Sequence, residues 1–171
     1  MAVLNPDHLL EQADRLIAPP GGGTPRQVDL RRAISNAYYA VFHAVMTEAA
    51  DDFVGKTHRQ TPRYALVYRR AEHRSLLRLC EDIRKDTLPA RYSMYEPVGG
   101  FGSELRSFAT VVIQLQEKRH EADYDPLVRV GRSDAALAIA TGREALTLFR
   151  RASPTRRRAF LSLIVFSPRQ P

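Results

Sequence analysis

The stretch RRAISNAYYAVFHAV, Arg31 to Val45, decides the fold class. Around it, Leu30, Ile34, Ala37, Tyr38, Val41, Phe42 and Val45 recur three, four and seven positions apart, the spacing of one buried helix face. Small residues Ala33, Ser35, Ala37, Ala40 and Ala44 alternate with bulky Tyr38, Tyr39, Phe42 and His43. Small positions let helices approach closely, and the rings fill the space beside them. This helix, from Gln27 to about Phe53 with Gly55 as its stop, therefore reads chiefly as core and interface.

The flanks read the same way. Asn5 and Pro6 suit the cap and first position of a helix ending near Ala18, and PPGGGTP, Pro19 to Pro25, breaks it into a mobile loop. Pro62 to about Lys85 reads as one broken or two short helices, with Tyr64, Val67, Leu76, Leu77, Leu79 and Ile83 as core candidates. TLPARYSMYEPVGGFG, Thr87 to Gly102, holds too much Pro and Gly for a helix and is long for a loop, which marks a functional or partner-binding segment. Ser103 is expected to cap a helix carrying Leu105, Phe108, Ala109, Val112, Leu115 and Gln116 towards Arg119, ended by Asp125-Pro126. Another starts at Ser133 and buries Ala135, Leu137, Ala138, Leu146 and Phe149. Ser153-Pro154 caps a last one with Phe160, Leu161 and Ile164, and Phe166 to Pro171 should fray.

No segment alternates as a strand. The expectation is all-α: an antiparallel bundle of four to five core helices plus N- and C-terminal helices. It forms one domain over residues 1–171, with the core at about 27–151 and the last helix at about 154–166.

Composition narrows the function classes. Charged residues at 26% and hydrophobic residues at 44% suit a soluble globular chain, and no apolar run nears the roughly 18 residues of a membrane span. MAVLNPDHLLEQ has no basic segment before an apolar one, so no secretory signal and a cytoplasmic location are expected. Cys80, the single cysteine, excludes an internal disulfide and a cysteine zinc cluster. The five histidines, His8, His43, His58, His73 and His120, show no paired spacing, so a metal site needs tertiary assembly; no metal and no cofactor is expected. Net charge is +7, mostly from arginine, whose fork suits phosphates and carboxylates. The excess clusters at Arg150, Arg151, Arg156, Arg157 and Arg158, either a solvated helix junction or a patch for RNA or an acidic partner. Few aromatics interleave it, so stacking on single strands is not supported there.

KRHEADYDP, Lys118 to Pro126, leaves three readings open. It is a structural terminus in which Arg119 pairs with Asp123, Tyr124 packs on the bundle and Pro126 stops the helix. It binds RNA or a nucleotide without cutting. Or it cleaves RNA. Metal-free cleavage needs a base, an acid and positive charge at phosphorus. Arg119 supplies the charge, and imidazoles titrate in the right range. Phenols ordinarily titrate near ~10 and make poor bases at neutral pH. His120 points roughly 100° away from Arg119 around the helix. GKTHRQT, Gly55 to Thr61, lacks the upstream glycine and strand of a Walker loop. His43, one turn after Tyr39, reads first as a hydrogen-bonded structural group.

AISNAYYAVFHA, GKTHRQT and RHEADYDP together resemble the HEPN superfamily, in particular its small bacterial stand-alone members, over roughly Leu30 to Pro126. The resemblance implies an up-and-down bundle of four or five helices that dimerises through the Arg31–Val45 and Arg119 helices, with Thr57 at the start of the next helix. It also implies RNA or nucleotide association, in toxin–antitoxin or defence systems, with an antitoxin or other protein as partner. Many members are metal-independent ribonucleases using an arginine, a short spacer and a histidine. Arg119 matches the arginine; the histidine position falls at or just beyond Tyr124, and no histidine follows. Ribonuclease activity is accordingly expected to be atypical or absent. Arg119, Tyr124 and His120 are the candidate catalytic residues. Asp123, Tyr39, His43, Arg156, Arg157 and Arg158 are candidate binding or interface residues. The competing class is a non-catalytic scaffold that binds a protein through its small-residue helix faces and the Thr87–Gly102 loop.

Overall fold

The computed structural model describes residues 4–166 and 168. Among them it is all-helical. The helices are α1 (Pro6–Ile17), α2 (Gln27–Phe53), α3 (Pro62–Tyr68), α4 (His73–Ile83), α5 (Ala90–Ser93), α6 (Gly102–Tyr124), α7 (Arg132–Arg151) and α8 (Pro154–Val165), with a 3-10 turn at Lys56–His58. No helix among these residues is long and apolar enough to cross a membrane. The expectation of fraying at the chain's end falls largely on 167 and 169–171, outside the described residues.

α2 is the central helix, packed against α1, α3, α6, α7 and α8. Its small-residue face is used inside the chain: Ala33, Ala37 and Ala40 are fully buried. At Gly142 a Cβ would sit 3.2 Å from the Ala37 carbonyl oxygen and 3.2 Å from Leu10, so glycine sets the approach of α7 to α2. The contacts fix direction. Arg31 and Tyr39 of α2 meet Ala122 and Arg119 of α6, so these two run antiparallel. Asp7 and Asp14 of α1 pair with Arg150 and Arg143 of α7, also antiparallel. Phe108, Phe149 and Phe160 join α6, α7 and α8 at ring separations of 5.0 to 6.2 Å.

Local signals act mostly as expected. Asn5 accepts from Asp7 N at 3.0 Å, Gly55 takes φ of 100° past α2, and Asp125 leaves the helical region ahead of Pro126. Corrections are physical. Leu137 is 69% exposed, because α7 buries Ala135, Ala138, Ile139, Gly142 and Leu146 and turns position 137 away. Ser103 does not cap α6; Phe101 precedes the helix and Gly102 opens it at φ +78°, where a Cβ would also collide with the Arg156 guanidinium. Thr57 lies in the 3-10 turn, and Thr61 caps α3 through Tyr64 N at 3.3 Å. α7 begins one residue before Ser133, with Asp134 accepting from Gly131 N at 2.8 Å. The Thr87–Gly102 segment includes the one-turn helix α5. It is anchored by buried Tyr92 and Phe101 and by Arg91 on buried Asp82.

Candidate functional site

The C-terminal end of α6 lies antiparallel against the middle of α2, and α4 delivers its first residue to the same place. Arg119 is the hub. Its side chain is only 13% exposed, and its Nε lies 2.7 Å from Asp123 Oδ2, one turn along. The Nε–H is not aimed along that contact, so the pair is Coulombic rather than a directed hydrogen bond. Asp123 also accepts from the Ser35 hydroxyl of α2. Arg119 Nη2 donates to Tyr39 Oη at 2.8 Å and to Tyr124 Oη at 3.3 Å, with the guanidinium over both rings. Nη1 takes no hydrogen-bond partner among the described residues and is not fully enclosed. Burial works against the charge, but the Tyr39 hydroxyl, Asp123 and Tyr124 outweigh it and hold the Arg119 pKa above its ordinary value.

A second layer was hidden from the sequence. His73, at the N-terminus of α4, stacks on Phe42 at 3.8 Å and lies edge-on to Tyr39 at 5.7 Å. Its Nδ1 is 2.8 Å from the hydroxyl of Tyr38, a ring only 1% exposed. A buried phenol needs an acceptor for its O–H. Tyr38 has no other hydrogen-bond partner among the described residues, so the phenol is assigned as donor and the neutral imidazole carries its proton on Nε2. Among the described residues that Nε2 has no hydrogen-bond partner, and it is not fully enclosed. Burial, then the Arg119 charge, then His43, hold the His73 pKa below its ordinary value. His43 stacks against Tyr39 at 6.2 Å, and its Nδ1 is 2.7 Å from the Tyr68 hydroxyl. Burial lowers its pKa too. Both environments favour the neutral imidazole.

Arg119 and His73 thus pack against the same Tyr39 ring, and among the described residues neither Arg119 Nη1 nor His73 Nε2 has a hydrogen-bond partner. Among the described residues, no group of three or more His, Cys, Asp or Glu side chains could hold a metal.

Of the sequence candidates, Arg119, Asp123, Tyr39, Tyr124 and His43 come together here. Tyr124 does not pack on the bundle: it is 61% exposed, because its hydroxyl and ring are held by Arg119 at the helix end. His120 is exposed, in contact with the Tyr124 ring at 5.0 Å. Arg156, Arg157 and Arg158 lie elsewhere. Arg156 packs on Gly102 and donates to Gly99 O at 3.3 Å, at the opposite end of α6, roughly 25 Å from Arg119 at 1.5 Å per residue. Arg157 pairs with Glu48 at 3.2 Å and Arg158 with Asp52 at 2.8 Å, tying α8 to α2.

The densest group of arginines without a partner lies in and next to α3 and α4; Arg32, Arg129, Arg132 and Arg151, elsewhere, are also exposed and without an ion pair among the described residues. Residues 55–86 carry nine Lys or Arg against four Asp or Glu, a local excess of five in a chain of net +7. Arg63, Arg69, Arg70, Arg74, Arg78 and Arg84 are all exposed, and no guanidinium among them has a partner among the described residues. Their density was visible in the sequence; their freedom was not.

Comparison with protein-family models, with curated proteins and with solved structures yields no match to this chain.

Proposed function

We propose that the chain is a HEPN-type, RNA- or nucleotide-associated protein whose Arg119 centre binds a phosphate group, with ribonuclease activity atypical or absent. The observation that carries this reading is the donor set: Arg119 Nη1 and His73 Nε2, both without a hydrogen-bond partner among the described residues, on side chains that pack against the same Tyr39 ring. Phosphate oxygens only accept, so they match that set, and a guanidinium gives them charge-assisted bonds. The same tautomer argues against cleavage, since a base needs a lone pair where His73 presents a proton. A homodimer, and a role in a toxin–antitoxin or defence pair, rest on the motif resemblance alone.

The test is incubation of the purified protein with total RNA in chelator, beside Arg119→Ala checked for fold by circular dichroism. The reading expects RNA to be retained intact by the parent and released by the variant. Cleavage that depends on Arg119 would make the centre a ribonuclease. Absence of binding by the parent at low salt would overturn the reading.

A scaffold reading has one observation of its own. The Thr87–Gly102 segment exposes Met94, Tyr95 and Val98, the last completely, while its neighbours Tyr92 and Phe101 are buried. Salt-insensitive binding to a protein through this tip would favour it.

A further inference from the structure

We propose that the arginine face of α3 and α4 is the surface that carries the backbone of a single-stranded RNA to the Arg119 centre; this rests on the phosphate-binding reading of that centre. Three observations support it. First, the charge there is without partners among the described residues, whereas four of the five C-terminal arginines, Arg150, Arg156, Arg157 and Arg158, are held by Asp7, Glu48, Asp52 and backbone carbonyls. A phosphate must otherwise compete with an ion pair the fold already holds, so the unpaired arginines are the ones that gain most from it.

Second, these arginines follow residues of the centre directly in the chain. Tyr68, which holds His43, is followed at once by Arg69 and Arg70, and His73 is followed by Arg74. Arg74 and Arg78, one helical turn apart, line a groove of about 250 Å³ with Ser75, Tyr92, the Asp82-paired Arg91 and one carboxylate, Glu72. Third, the centre ends on an exposed ring. Tyr124 lies against the Arg119 guanidinium and beside His120, which is also exposed. An accessible aromatic next to a phosphate donor suits an unpaired base, which a duplex does not offer. Arginines for the backbone, a donor pair for one phosphate and a ring for one base select a single strand.

The experiment is binding of a fluorescent oligouridylate to the full chain over a salt series. Four proteins are compared: the parent; Arg69→Gln/Arg70→Gln/Arg74→Gln; Arg15→Gln/Arg129→Gln/Arg132→Gln as a charge-matched control; and Arg119→Gln. Coincident thermal unfolding checks the fold of each. Each phosphate contact contributes about 0.7 to the slope of log affinity against log salt for a single strand. The α3–α4 variant is expected to flatten that slope by about 2, and the control to leave it within error. Equal flattening by both triple variants, with Arg119→Gln still weakening binding, would overturn the arginine face and leave the phosphate centre standing. A large effect of the α3–α4 variant with none from Arg119→Gln would overturn the centre instead. Tighter binding of a duplex of the same length would overturn the single-strand assignment, and no binding by the parent would overturn both.

Discussion

Removing one oxygen at Tyr38 isolates the feature on which the donor site depends. In the parent, the other tautomer of His73 would place a proton on Nδ1, make the Tyr38 oxygen the acceptor and strand a buried O–H. Stranding a buried donor costs about 1–3 kcal/mol, which is roughly a 5- to 150-fold preference for the Nε2–H form. Tyr38→Phe keeps the ring that stacks near Phe42 and Tyr39 and removes that preference. The variant should also lose about 1 kcal/mol for the missing hydrogen bond, a fall in Tm of about 2–4 °C for a chain of this size. Long-range proton–nitrogen correlation of the imidazoles reads the tautomer directly, and thermal unfolding reads the stability. The parent should show His73 protonated on Nε2, and Tyr38→Phe should show a mixture. A parent already protonated on Nδ1, or a variant with an unchanged tautomer, would refute the assignment.

Other consequences follow from burial and packing. His43 and His73 titrate below the ordinary ~6.5 in the folded chain, so between that value and their folded pKa the unfolded chain binds more protons. Their contribution is complete above ~6.5 and is lost as pH falls through the folded pKa values; urea midpoints should drop from about pH 7.5 to about pH 5.5, and His43→Gln/His73→Gln should flatten the change. Gly142→Val forces atoms against the Ala37 carbonyl and Leu10, and denaturant melts should show a loss of about 1–3 kcal/mol despite the gain in helix propensity. Asp82→Asn leaves Arg91 without its counter-charge; it should cost about 1–3 kcal/mol and speed limited proteolysis within Thr87–Gly102.

What the sequence revealed and what it hid divide along a physical line. Helix α2, the Asn5 cap, the Gly55 stop and the Asp125-Pro126 stop follow from local periodicity and backbone preference. So does the Arg119–Asp123 pair, which needs only one helical turn. Leu137 was misplaced because an apolar residue next to a buried stripe is not thereby on it. His73 lies 35 residues from Tyr38, and no spacing rule connects them; the bundle does. The arginines show the same limit. Arg157 and Arg158 form the denser run, yet their counter-charges wait on α2, more than a hundred residues away, while the scattered arginines in and next to α3 and α4 meet none among the described residues. A charge count finds arginines, and only the fold says which are free.

The central claim is that Arg119 and His73 form one phosphate site built from donors. Its most direct test is titration of the protein with uridine 3′-monophosphate while the His73 and His43 imidazole signals are followed against pH. A bound phosphate should shift the His73 Nε2–H signal and raise the His73 pKa from its depressed value, because the anion favours the charged ring. Arg119→Gln should remove both effects. Binding that leaves the His73 signal and its titration unmoved would contradict the account.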